Sequence, residues 1–206
     1  AAGDNVYIGA GTYRENVLMI TSGSTGNVIS FIGDIEGEET GDCGFVIITA
    51  HDSETSAPAR NDCLDPNGQS FITWKNIAFI GGIQRPIDDN SVTANSYEQF
   101  IIDNCHISVT DRDRDAVFLS YATGASPSTT GLRLRKCTIF GNVVISIETN
   151  NTANIPVDGR IENCLIIAQK DLRAIWIDSS GSKTSNVSDI LIDNNTVIGA
   201  YASVYI

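Results

Sequence analysis

The sequence predicts an all-β fold: a parallel β-helix, or solenoid, with no major helical domain. Three observations carry that prediction. The composition favours turns and strands, five segments align as a repeat, and each segment alternates apolar and polar residues with a period of two.

The composition sets the class. The 206 residues include 18 Gly, 5 Pro and 1 Met, with Asn and Ile in excess. Gly and Asn supply positive φ at turns, and Ile favours strands. Hydrophobic residues are 42% and charged residues 18%, which excludes a disordered chain. The absence of a long apolar run argues against a membrane span. With no initiator Met and no basic-then-apolar leader, the chain reads as a mature or trimmed piece. The formal net charge is −12 and the pI about 4.4, which opposes nucleic acid and anionic membranes as partners. Acidic glycans are not excluded, because a local basic patch can sit on an acidic protein.

The repeat gives the architecture. SFITWKNIAFIGG, QFIIDNCHISVT, GLRLRKCTIFGN, GRIENCLIIAQ and DILIDNNTVIGA align without gaps on Asn76, Asn104, Lys136, Asn163 and Asn194. The centres are 28, 32, 27 and 31 residues apart, so loops of varying length join fixed strands. Two residues before the centre stand Trp74, Ile102, Leu134, Ile161 and Ile192, an inward column. One residue before stand Lys75, Asp103, Arg135, Glu162 and Asp193, an outward one. The centre is a kink, for which Asn is suited because it tolerates φ > 0. A second strand then follows in each repeat, as in AVFLS at 116–120 and RAIWID at 173–178. One unit cannot bury its own apolar face, whereas stacked units can. Parallel coils at about 4.8 Å are the natural solution. The whole chain, 1–206, reads as one such domain of about seven coils.

The columns, including the stacked Asn turn, resemble those of right-handed parallel β-helix proteins of the pectate-lyase-like superfamily. GDNVYIGAGTYREN, Gly3 to Asn16, is similar to the opening segment of many bacterial and phage surface β-helices. NGQSFITWKNIAFIGG, Asn67 to Gly82, has the same character. The resemblance implies a right-handed helix. It implies little about activity, because that superfamily holds lyases, hydrolases, tailspikes and adhesins.

Cys105, Cys137 and Cys164 share one column just after the kink, and are expected as buried free thiols stacked along the axis. Cys43 and Cys63 lie in loop-rich sequence and could pair in an oxidising compartment. His51 and His106 lie outside any Gly-His-Gly setting of the kind found in related hydrolases, and are expected as exposed, solvated side chains. Lyases of this fold use an Arg or Lys base with calcium held by acidic residues. The matching stretch is TDRDRD: Asp111, Arg112, Asp113, Arg114 and Asp115. Asp113, Asp115, Arg112 and Arg114 are its catalytic candidates, and Asp111 and Asp113 its calcium candidates. A solvated, self-neutralising charge run explains the same residues. If Val117 and Leu119 point inward, Phe118, Trp176 and Tyr205 form an outward aromatic stripe, with Val144 or Ser146 between, for a glycan or another subunit. Of the sequons at Asn150, Asn186 and Asn194, the last is expected to be poorly accessible.

These features favour a non-catalytic structural or adhesive module on a virion or cell surface, contacting glycans or like subunits. A polysaccharide lyase or glycoside hydrolase, with calcium as the possible cofactor, is one alternative. A self-assembling filament or trimer is another. The chain ends inside a strand without a polar cap, which suggests a longer protein or a covering subunit.

Overall fold

The computed structural model describes residues 1–89, 98–110, 115–121, 129–147, 156–168, 173–178, 188–199 and 202–205. It is a parallel β-solenoid, with no helix among the described residues. Three parallel sheets run along it, each of seven strands. The first holds Asn5–Ile8, Ile29–Gly33, Ile72–Lys75, Phe100–Asp103, Thr129–Arg135, Pro156–Glu162 and Ser188–Asp193. The second holds Gly11–Arg14, Val46–Thr49, Ala78–Ile80, His106–Ser108, Thr138–Phe140, Leu165–Ile167 and Thr196–Ile198. The third holds Val17–Leu18, Leu64–Asp65, Ile87–Asp89, Asp115–Tyr121, Asn142–Ile147, Arg173–Asp178 and Ala202–Tyr205.

The unit is therefore three strands, not the two expected from the repeat. The kink residue causes the difference. Asn76, Asn104, Lys136, Asn163 and Asn194 all have φ between 50° and 59°. A left-handed residue turns the chain sharply, so the strands before and after it lie on different sheets. The main chain stays paired around this corner: the Asn104 N–H donates to the Arg135 carbonyl at 3.0 Å, and Lys136 to that of Glu162 at 3.1 Å.

Side chains add a ladder outside the corner. The Asn104 amide donates to Asn76 Oδ1 at 2.9 Å, the Asn194 amide to Asn163 Oδ1, and Asn76 Nδ2 to the Gly33 carbonyl at 3.5 Å. Gly33 allows this close approach, since a Cβ there would lie 2.2 Å from the Asn76 carbonyl oxygen. Lys136 interrupts the ladder between Asn104 and Asn163. Lys136→Asn is expected to join the two halves and to relieve a left-handed lysine. The gain should be about 1–2 kcal/mol, seen as a higher melting temperature. An unchanged or lower melting temperature counts against the ladder as a source of stability.

A second left-handed column marks the start of three first-sheet strands: Phe71 and Gln99, directly before theirs, have φ of 57° and 49°, and Gly131, at an irregularity within Thr129–Arg135, has 91°. These residue types share no chemistry, so the sequence carried no sign of it.

The core follows the inward columns. Trp74, Ile102, Leu134 and Ile161 are buried, as are Phe79, Ile107, Ile139 and Ile166. Trp74 stacks on Phe31 with ring centroids 4.3 Å apart and meets Phe79 edge-on at 5.8 Å. Cys105, Cys137 and Cys164 are buried free thiols on successive coils. Each sulfur donates to the carbonyl two residues back, at 3.3–3.4 Å. Asn195 follows in the column, and its amide bonds to the preceding coil instead. Its Oδ1 accepts from the Cys164 N–H at 2.8 Å, and its Nδ2 donates to the Ile161 carbonyl at 2.7 Å. Burial pushes the Cys105 thiol up to about 12, and a hydrogen bond to Cys164 together with burial pushes Cys137 up as well. Such thiols are inert packing groups. The suggested Cys43–Cys63 pair does not form: Cys43 is exposed, while Cys63 is buried with its sulfur 3.2 Å from the Ile80 carbonyl.

Candidate functional site

The third sheet carries the residues that drew attention in the sequence. Its register places Asp88, Phe118, Val144, Trp176 and Tyr205 side by side on successive strands. The expected row therefore exists as a backbone column, and Val144 is its member between Phe118 and Trp176. Its chemistry differs from an open aromatic stripe. Phe118 is half-buried under the Arg85 guanidinium, 3.9 Å from the ring centroid. Trp176 is half-buried under Arg173 at 4.4 Å, and Val144 is buried. The Tyr205 side chain lies outside the described residues. An outward parity does not guarantee an open ring, because a long cation can lie flat on it.

Arg85 is fixed by carboxylates. Its Nη1 donates to both oxygens of Asp88 at 3.0 Å, and its Nε to Asp115 Oδ2 at 3.1 Å. Asn142 donates to the other Asp115 oxygen at 3.4 Å. Asp115, a catalytic candidate, is thus the far end of an ion-paired network. Its partner stands 30 residues away in sequence and one coil away in space. Asp111, Arg112, Asp113 and Arg114 lie outside the described residues. Among the described residues, no group of three or more His, Cys, Asp or Glu is placed to hold a metal ion.

Beside this network, Asp62 is nearly buried and takes a hydrogen bond from the Asn16 amide. Burial, then the charges of Asp65 and Asp88, push the Asp62 carboxyl up to about 7. Burial also raises Asp65 and Asp88, the latter against the pull of Arg85.

The second sheet holds an open cleft of about 290 Å³ that sequence reasoning missed. Its floor is the outer face of three strands, with Thr12, Arg14, Ile47, Thr49 and Ile80. His51, Ser53 and Glu54 form one wall, and Thr110 closes another side. The wall is a preorganised loop. His51 Nδ1–H donates to the Ser56 carbonyl at 2.7 Å, and the Ser53 and Ser56 hydroxyls each accept the other's backbone N–H. The His51 main chain bridges to Pro58, and Arg60 pairs with Asp52 at 2.9 Å. Arg14 reaches up from the floor and donates to the His51 carbonyl at 3.2 Å.

The histidines need correction. His51 is half-buried, and its Nε2 edge packs on Gly81, where a Cβ would come within 2.4 Å. It shapes the wall rather than floating in solvent. His106 is half-buried against Phe140, with ring centroids 5.4 Å apart, and burial lowers its pKa. Asn194 also differs from expectation: it is exposed. Asn150 and Asn186 lie outside the described residues.

No family model matches this chain, and neither a curated protein nor a solved structure does. Among the described residues, no helix is long and apolar enough to cross a membrane. The one signal for the cleft in the sequence was TAHDSETS, a polar loop directly after the strand Val46–Thr49.

Proposed function

We propose that the chain is a non-catalytic adhesive module of a virion or cell surface, a rigid solenoid that holds a glycan in the second-sheet cleft. The cleft's composition carries this reading. Ile47 and Ile80 offer an apolar floor for the C–H face of a sugar ring. Thr12, Ser53 and Thr110 offer hydroxyls, and Arg14 and Glu54 one charge of each sign. Ligand sites of this kind are concave and mostly apolar, with a few placed polar groups. A tied loop lowers the ordering cost of binding. The resemblance of the repeat columns to pectate-lyase-like surface β-helices supports an extracellular setting.

The test is retention of neutral and acidic glycans by the purified chain, compared with Arg14→Ala and Ile80→Trp. Arg14→Ala removes a donor and Ile80→Trp fills the floor. Each is expected to weaken retention by about ten-fold or more. Equal retention by all three proteins overturns the cleft as the contact.

A second reading has its own observation. A carboxyl raised to about 7 beside two further carboxyl groups, Asp65 and Asp88, resembles the arrangement that glycosidases use for general acid catalysis. Release of new reducing ends from a polysaccharide, abolished by Asp62→Asn, would establish hydrolysis and displace the adhesive reading.

A further inference from the structure

Two register columns run along the outer face of the first sheet. One reads Ile101, Arg133, Arg160 and Leu191 on adjacent strands; the other reads Lys75, Asp103, Arg135, Glu162 and Asp193. Arg133 and Arg160 are thus direct lateral neighbours, with backbones about 4.8 Å apart. Arg135 lies two residues beyond Arg133 on the same face. Like charges opposite one another on a sheet are destabilising. This chain has only 13 Lys and Arg against 25 Asp and Glu, yet it clusters three guanidinium groups here.

Their partners are unequal. Arg135 Nη2 donates to Asp103 Oδ2 at 3.0 Å, which closes that pair. Arg133 and Arg160 make no ion pair with any carboxylate among the described residues, although Glu162 and Asp193 stand in the next column. The Nε atoms of Arg160 and Arg135 are buried and lack an acceptor. A buried N–H without an acceptor is costly, and a charged one more so. Two register neighbours of like charge, one of them with an orphaned donor, leave this face with uncompensated positive charge that an anion would satisfy.

We propose that this face binds a tetrahedral oxyanion, a sulfate or phosphate ester group, held between Arg133 and Arg160. The fork of a single arginine saturates a planar carboxylate. A tetrahedral group has three free oxygens, which accept from two guanidinium groups at once. Its charge also relieves the register repulsion, so occupancy stabilises the fold. The site lies on a different sheet from the cleft and stands whether or not the cleft holds a glycan.

The experiment is thermal unfolding of the whole chain, titrated with inorganic sulfate, inorganic phosphate, acetate and chloride at matched ionic strength. A saturable rise in melting temperature is expected with sulfate or phosphate, and no such rise with acetate. General salting effects of sulfate act on any protein, so Arg133→Gln, Arg160→Gln and the double variant supply the comparison. Both positions face outward, and removing the repulsion should leave the anion-free variants at least as stable as the parent. The saturable component should weaken about ten-fold or more in each single variant and vanish in the double variant. Dextran sulfate, a phosphorylated glycan and plain dextran then distinguish the two ester sources. Ile80→Trp should leave the anion response intact, which separates this result from any failure of the cleft. Equal responses in the parent and the double variant, or an acetate response as large as that to sulfate and phosphate, overturn the proposal.

Discussion

Replacing Trp74 by alanine is expected to cost about 3–5 kcal/mol of unfolding free energy, the range for the loss of a fully buried aromatic side chain. Trp74 is 1% exposed and is among the largest fully buried side chains. It lies stacked on Phe31 and edge-on to Phe79, so truncation opens a cavity bounded by two rings. Phe31 belongs to the neighbouring coil and Phe79 to the second sheet of the same coil, and a solenoid holds each coil only through such neighbours. The space cannot close without shifting the strands on both sides. Trp74 Nε1 is also buried without an acceptor. Trp74→Phe therefore loses volume but removes an orphaned donor, and should cost no more than about 1.5 kcal/mol. Denaturant unfolding of the three proteins checks this, with a lower midpoint and an unchanged slope expected for Trp74→Ala. A loss below that of Trp74→Phe would show that Trp74 does not organise the core.

Trp74 was legible because it stands in a column of apolar residues at fixed distance from a kink. The same logic exposed the thiol column and the coil-to-coil register. It works where one physical demand acts on every coil, as burial does on Ile102, Leu134 and Ile161. It failed where different residues meet one demand. Phe71, Gln99 and Gly131 all adopt left-handed backbone, yet no shared chemistry marks them. It failed again where pairing depends on the reach of a long side chain. Arg85 crosses to Asp115 and lies on Phe118, turning a supposed catalytic carboxylate and an exposed ring into parts of one closed network. Parity shows which way a Cβ points, not what lies over it. The lateral adjacency of Arg133 and Arg160 was implicit in the alignment, three residues before each centre. It becomes informative only once the missing partners are known.

Folded stability should fall as pH rises from about 4 to about 7, because Asp62 resists ionisation in the fold. Its carboxyl is pushed from 3.8 to about 7, chiefly by burial, with Asp65 and Asp88 adding repulsion. A raised folded pKa means that the native state holds the proton more tightly than the unfolded chain. Stability is then full below the unfolded value and is lost as pH climbs through the folded one. Asp65 and Asp88, also raised, act with the same sign. His106 acts with the opposite sign: burial lowers its pKa, so its contribution is lost as pH falls below the ordinary histidine range. Asp34 likewise opposes at low pH, since the Thr40, Glu39 and Glu38 N–H groups hold its carboxyl low. The profile should therefore peak on the acid side of neutrality and decline on both flanks. Asp62→Asn keeps the size and polarity of the side chain and its place beside Asn16, but has no charge to desolvate. It should stabilise the protein at pH 8 by an amount on the order of 2 kcal/mol, change little below about pH 4, and flatten the alkaline flank. Melting temperatures of both proteins across that range decide the matter. Parallel profiles would mean that Asp62 ionises in the fold as freely as in the open chain, and that the alkaline decline belongs to Asp65 and Asp88 alone.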